Sequence, residues 1–382
     1  PEETYRCDRG PSDEPKTGAA HDHRTLSLDR ERPQVFVRPS RARCCRRLDR
    51  PAESFYRHAP LCGPIMRIDV IVNTTARLYK RGPERLEKAR RACAGAADLH
   101  LTSSLPELQA ACSVIAKRGS DLVILSGGDG SFMAGVTALE RAFGKGARLP
   151  RIALLPGGTV ATIARNWGFA GAPEAHLADL IEHRAELQTS LRPSLRVASR
   201  IGSESIERLG FIFGTGLVAK FFEVYYAEGA GGYAGSARIF ARVFAGSFVG
   251  GAYARRVLEP LPCSLEVDGR RLEPEAWSLI CAAVVRDLGL RMRLTYRAGE
   301  DLRRPHLVAT PLPPHKLGPR APLVLAGKPI GGRGHFDDLI GELTIRFPGE
   351  GPFVLDGDML RAEEVRVTAG PPLEVVLPPL RR

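Results

Sequence analysis

The stretch Leu125-Ser126-Gly127-Gly128-Asp129-Gly130-Ser131-Phe132 ends the apolar run Asp121-Leu122-Val123-Ile124-Leu125 and opens a segment of helical spacing that reaches Phe143. A continuous apolar run of this kind belongs to a strand covered on both faces of a parallel sheet. Strand, glycine turn and helix in that order bring backbone N–H groups and the positive end of a helix dipole to the carboxyl edge of the sheet, a seat for phosphate oxygens. Asp129 puts a carboxylate in the middle of that seat. Such a group makes sense when a cation or a substrate hydroxyl stands between it and the phosphates, because Mg²⁺ is held by one or two carboxylates together with phosphate oxygens. Asp129 therefore reads as a metal or acid–base group. Taken alone, the loop also reads as a tight turn with Asp in a left-handed or capping role.

The loop is not alone. Ile152-Ala153-Leu154-Leu155 is a second buried run, and Leu155-Pro156-Gly157-Gly158-Thr159 again joins a strand to a helix. Thr159 reads either as an N-cap or as a hydroxyl for phosphate. Working outward, strands are expected at 67–72, 99–101 and 121–125, with helices over 84–94, 106–117 and 131–143. That alternation predicts an α/β doubly wound open sheet with its ligand site at the carboxyl ends of the strands. Beyond about residue 190 the pattern changes to short strands (194–198, 208–213, 264–267, 278–285, 306–309, 342–347, 364–367 and 373–377), interrupted by one helix over 237–248. This part reads as an antiparallel sheet or sandwich. The expected domains are a nucleotide-binding domain over 66–190 and a β-rich, β-sandwich-like substrate domain over 191–382, with chemistry in the cleft between them.

Residues 1–65 differ from both. They are rich in Pro, Arg, Asp and Ser and lack periodicity apart from Val35-Phe36-Val37, so they read as a disordered N-terminal tail. Met66 is the first methionine and directly precedes the first strand. The expectation is that Met66 is the natural start and residues 1–65 an upstream extension; the rival reading is a basic regulatory tail.

The 382 residues carry a net charge of +12 and a pI of 9.6, which favours anionic partners. Basic and aromatic residues are not interleaved in a nucleic-acid module, so no nucleic-acid partner is expected. No run of 18 apolar residues and no signal-peptide pattern is found, which makes a cytoplasmic location the default. Of eight cysteines, Cys7, Cys44, Cys45 and Cys62 lie before residue 65, and Cys93, Cys112, Cys263 and Cys281 lack metal spacing. They read as reduced thiols, with no zinc site.

The pair Ser126-Gly127-Gly128-Asp129-Gly130-Ser131 and Leu155-Pro156-Gly157-Gly158-Thr159 resembles the catalytic domain of the diacylglycerol kinase and sphingosine kinase family, of the bacterial soluble lipid kinase type. Val70-Ile71-Val72-Asn73-Thr74-Thr75-Ala76 is similar to that family's opening strand and loop, and Phe211-Ile212-Phe213-Gly214-Thr215-Gly216 to the glycine turn beginning its second domain. Val354-Leu355-Asp356-Gly357-Asp358 resembles its terminal Asp-Gly-Glu motif. The resemblance spans about residues 67–378. It implies ATP- and Mg²⁺-dependent phosphorylation of a lipid hydroxyl, a reaction that asks the protein chiefly for positioning and charge neutralisation. By the same resemblance Asn73, Thr102, Gly127, Gly128, Asp129, Gly130, Ser131, Gly157, Gly158 and Thr159 hold nucleotide, Asp129 faces the metal, and Asp358 is the base with Asp356 beside it. Read without the resemblance, Asp356-Gly357-Asp358 is a hairpin turn. Two departures are visible. Ala161 stands where the family often has Asn, and Glu300-Asp301 is a weak counterpart of an acidic metal-binding turn.

On the lipid side, Ile239, Phe240, Val243, Phe244 and Phe248 share one helix face. They read as core packing or as a wall for acyl chains, joined by Phe221, Phe222, Tyr225 and Tyr226. Arginines 286, 291, 293, 297, 303 and 304 read either as a solvated face or as contacts to an anionic membrane surface. The expected partners are thus a lipid substrate and a peripheral membrane contact, with a homodimer compatible. The alternative functions are an NAD kinase-like enzyme, which shares the Gly-Gly-Asp-Gly loop, and a non-catalytic lipid- or nucleotide-binding member of the family.

Overall fold

The structure, a computed structural model, describes residues 66–82, 84–158, 161–169, 172–229 and 232–378. The expectations for residues 1–65, and the nucleotide-binding role of Thr159, lie outside the described residues.

The predicted doubly wound sheet is present. Its six strands run in the spatial order Asp98–Thr102, Ile68–Asn73, Leu122–Gly127, Arg151–Pro156, Leu373–Val376 and Thr189–Arg192. The first four are parallel to one another. They form because their side chains are apolar on both faces: Val70, Leu122, Ile124 and Leu154 are completely buried under helices Glu84–Cys93, Leu105–Arg118 and Asp129–Phe143. From Ile68–Asn73 the chain first moves to one side of the sheet and then crosses to the other. The order therefore reverses between Ile68–Asn73 and Leu122–Gly127, and ligands of open α/β sheets bind at the carboxyl ends of strands at such a reversal. Asn73 and Gly127 are the residues that end these two strands.

The second sheet is ten-stranded and antiparallel, with a main path of eight strands from Phe336–Leu339 to Glu204–Gly210. Helix Asp129–Phe143 lies against both sheets. Its Phe132 and Leu139 join one buried cluster with Phe211, Leu355 and Val365, and the Thr137 hydroxyl accepts the Leu209 amide at 2.9 Å. The glycine turn at the start of this helix consequently sits where the two sheets meet.

Three expectations change. Leu373–Val376 leaves the antiparallel part and inserts into the first sheet, parallel to Arg151–Pro156 and antiparallel to Thr189–Arg192, where Leu373, Val375 and Val376 are buried. The single strand expected over 208–213 is two, Glu204–Gly210 and Ile212–Gly216. The break falls at Phe211, whose amide is taken by the Asp356 carboxylate at 3.0 and 3.2 Å in place of a ladder partner. The single helix over 237–248 is Gly232–Phe248, flanked by Leu217–Ala227 and Ala252–Leu258. Phe221, Phe222, Tyr225 and Tyr226 hid the first of these helices, since aromatics are more typical of strands.

Candidate active site

The two glycine turns are neighbours because their strands are: Gly127 stands opposite Pro156 in the parallel register. The Gly157 amide donates to the Gly127 carbonyl at 2.7 Å. A Cβ on Gly158 would stand 2.6 Å from the Gly128 Cα, and one on Gly157 would stand 3.4 Å from the Gly127 Cα. A side chain at Gly158 would push the first turn away, so that glycine is required by the close approach, whereas one at Gly157 would make ordinary contact.

The carboxylate in the first turn is held by protein. Asp129 accepts the amides of Thr162 and Ile163 at 2.8 and 3.0 Å, which start helix Thr162–Asn166 after the second turn. The chain takes a left-handed step at Ala161 (φ 51°) just before these amides. Each Asp129 oxygen thus takes one amide from beyond the second turn, which fastens one turn to the other. Burial pushes its carboxyl above the usual range. The left-handed step is one that Asn tolerates better than Ala. Ala161→Asn is therefore expected to raise stability by about 0.5–1 kcal/mol, seen as a higher denaturation midpoint.

Asn73 reaches across the sheet reversal, its amide donating to the Ser131 hydroxyl at 2.8 Å while its carbonyl accepts the Thr75 amide and hydroxyl at 2.9 and 2.7 Å. Thr102 pairs with Asn73 in the register, but its hydroxyl donates to the Val72 carbonyl at 3.4 Å and its own carbonyl accepts the Thr74 amide at 2.9 Å. It thus braces the first loop from within the sheet.

Asp356 and Gly357 are the two central residues of a hairpin pairing Leu355 with Asp358, and both have positive φ (50° and 96°). This turn suits the right-handed twist of its strands, and Asp-Gly suits the turn. The Asp356 carboxylate is buried and accepts the amides of Phe211 and Ile212, the latter at 2.8 Å, which locks the hairpin to the neighbouring strand. Burial, with the nearby charges of Asp129 and Asp358, raises its carboxyl well above the ordinary value. Asp356→Ala removes the acceptor from both amides and is expected to cost about 2–3 kcal/mol, measurable by denaturant unfolding.

The hairpin delivers Asp358 to the first glycine turn. A Cβ on Gly130 would lie 3.2 and 3.3 Å from the two Asp358 carboxylate oxygens. Among the described residues, none donates a hydrogen bond to this carboxylate. Burial raises its carboxyl, and the charge of Arg208 partly offsets the rise. Tyr226 donates to the Gly357 carbonyl at 2.8 Å and steadies the turn. The sequence reading missed Arg208 and the clasp by which Asn166 donates to the Asp287 carbonyl at 2.7 Å and accepts its amide at 3.1 Å. Neither lies in a motif; each acts through a partner over a hundred residues away in sequence.

On the far side of the turns is a cavity of about 440 Å³. Gly128, Gly158 and Asp358 form its polar end, and its walls are apolar, with Phe221, Phe222, Phe240, Phe244, Leu288 and Val324 among them. Ile239 and Val243 of the same helix are buried in the adjoining core, so the stripe is divided between core packing and the cavity wall. The acidic turn at 300–301 is used locally: Glu300 accepts from Arg297 at 3.1 Å and Asp301 from the Arg303 amide at 2.7 Å. Among the described residues no cluster of three or more His, Cys, Asp or Glu could hold a metal. Cys93, Cys112, Cys263 and Cys281 are buried thiols without disulfides, with Cys93 pushed up to about 11 and the others to about 12 by burial.

No curated protein matches the sequence. Among solved structures, a candidate diacylglycerol kinase from Bacillus anthracis str. Sterne superposes with a TM-score of 0.59 at 15% identity, covering 83% of this chain and 99% of its own. A second diacylglycerol kinase structure from the same strain gives 0.54 at 15% identity, covering 83% of this chain and 98% of its own. At that identity the likeness establishes the fold. The sequence itself matches the family model described as the diacylglycerol kinase catalytic domain over residues 67–190. Over residues 67–190 the chain is therefore similar to a diacylglycerol kinase catalytic domain, on the fold that the two solved structures share.

Proposed function

We propose that this protein is an ATP-dependent lipid kinase that phosphorylates the hydroxyl of diacylglycerol or a related lipid alcohol. The observation that carries the reading is the position of Asp358, a carboxylate set between the paired glycine turns and the polar end of an apolar cavity. Two glycine turns held side by side at neighbouring strand ends, the first opening helix Asp129–Phe143, support a nucleotide site of backbone amides and a helix N-terminus. The donor set fits a Mg²⁺ that arrives on phosphate oxygens, because the described residues offer no cage of their own, while Asp129 and Asp358 line one space and Asp356 feels both charges. Bound there, ATP supplies the phosphoryl group and Mg²⁺ neutralises charge on its oxygens.

The protein's own part is positioning and proton removal. Asn73 and Ser131 set the rim of the nucleotide side, and Asp129 keeps the two turns in register. Apolar walls hold the lipid chain so that its hydroxyl meets Asp358, whose carboxylate accepts the proton as that oxygen attacks. A carboxyl raised by burial is a better base at neutral pH than an ordinary one.

Raising of the Asp358 carboxyl has a pH signature. Protonation disables the base, so kcat/KM should fall with decreasing pH through a value above the ordinary carboxylate pKa. Arg208→Gln removes a charge that lowers this value and is expected to move the acid limb further up; an unmoved limb would assign it to another group. The reading as a whole is tested by incubating the protein with labelled ATP, Mg²⁺ and dispersed diacylglycerol, and separately with NAD. Label in the lipid and none in NAD is expected. Label in NAD alone would make it an NAD kinase-like enzyme, and label in neither a binding protein.

A further inference from the structure

The Gly232–Phe248 helix carries an aromatic rank from the cavity to the surface. Phe240 and Phe244 line the cavity with parallel rings 6.5 Å apart, and Phe244 meets Phe248 edge-on at 5.0 Å. Phe248 is 60% exposed and the next residue, Val249, is 82% exposed. The helix ends there: the Gly251 amide donates to the Gly246 carbonyl at 2.9 Å and Gly250 takes φ 62°, a left-handed stop that leaves two apolar side chains at the tip. Leu325 is a further exposed apolar residue in a segment that borders the same cavity through Ala321 and Val324.

The charge around this tip is predominantly positive. Residues 229–258 contain Arg238, Arg242, Arg255 and Arg256 and no Asp or Glu, and residues 302–336 contain six Lys or Arg and again no acid. The Arg255 side chain reaches the Gly250 carbonyl at 2.6 Å, immediately beside Val249. Arg242 stacks 3.8 Å over Tyr253 and lies 3.4 Å from Glu228, which leaves Arg238, Arg255 and Arg256 as exposed cations of the helical hairpin. The arginines first suspected of meeting lipid headgroups are in part used elsewhere: Arg297 pairs with Glu300 and Asp338, and Arg286 and Arg304 reach backbone carbonyls.

We propose that this tip, Phe248 and Val249 with Arg255 and Arg256 beside them, docks the protein on an anionic lipid bilayer, with the aromatic rank leading from the bilayer into the cavity. Apolar side chains enter the interface while the surrounding cations meet headgroup phosphates, the combination by which peripheral proteins hold a membrane. A second copy is a poorer occupant, because an isologous contact would set this cationic hairpin against itself. The proposal goes beyond the kinase reading and its test needs no nucleotide, so either can fail without the other.

The test is sedimentation of the full chain with vesicles of phosphatidylcholine alone or mixed with phosphatidylglycerol. The protein should pellet with the mixed vesicles, and less so as salt is raised. Val249→Asp, at a side chain too exposed to threaten folding, and the Phe248→Asp/Val249→Asp pair should weaken the partition by about tenfold or more with the melting temperature little changed. Arg255→Gln/Arg256→Gln should reduce the preference for phosphatidylglycerol. Undiminished binding by the Asp variants would move the contact to another part of the chain, and failure of the parent to pellet would overturn the proposal. So would an effect of the substitutions on self-association alone.

Discussion

Asp358→Asn should lower the rate of phosphoryl transfer by about 10²–10⁴-fold, the range for loss of a positioned general base, while leaving nucleotide affinity and stability close to those of the parent. Asn keeps the shape of the side chain, and no hydrogen bond from the described residues to the carboxylate is lost. The adjacent positions differ. Asp356 is tied to the Phe211 and Ile212 amides and Asp129 to those of Thr162 and Ile163. Changes there should reach stability as well as rate, because Asn places an amide against a backbone donor. Asp358→Asn thus separates chemistry from architecture. Rapid mixing with labelled ATP, read beside an equilibrium nucleotide titration, shows whether rate falls without affinity.

Gly158→Ala should act on the opposite quantity. The new Cβ would stand 2.6 Å from the Gly128 Cα, a backbone atom that cannot rotate aside. The turns must separate, with strain of about 1–3 kcal/mol. Felt at the nucleotide, that strain corresponds to about a 5- to 150-fold rise in Kd. Gly202→Ala is a useful contrast for packing, since a Cβ at Gly202 meets nothing within 4 Å, although its φ of 55° adds some backbone strain. A Gly158→Ala protein with unchanged nucleotide affinity would show that close contact of the turns is not needed for binding.

The parts of this structure that sequence reveals are those fixed by local pattern. Leu122 to Leu125 is a run of four apolar side chains that fits a buried parallel strand, and a glycine turn following it then stands at the sheet's carboxyl edge. The hairpin reading and the catalytic reading of Asp356-Gly357-Asp358 both fit the same geometry: the tight turn is the means by which Asp358 is placed. What was hidden depends on partners distant in the chain. The amides of Thr162 and Ile163 that reach the Asp129 carboxylate come from beyond the second turn, 33 and 34 residues further along the chain. Likewise Leu373–Val376 has the same alternation whether it joins an antiparallel or a parallel sheet, and only the vacant edge beside Arg151–Pro156 decides between them.

The central claim is that the two turns grip the triphosphate with Asp358 facing its terminal phosphate. A crystal structure of the protein soaked with a non-hydrolysable ATP analogue and Mg²⁺ measures this directly. The account predicts the β- and γ-phosphates against the amides of Gly127 to Ser131 and Gly157 to Gly158, with the γ-phosphate turned toward Asp358 and the apolar cavity. A nucleotide seated elsewhere, or a γ-phosphate turned away from Asp358, would contradict it.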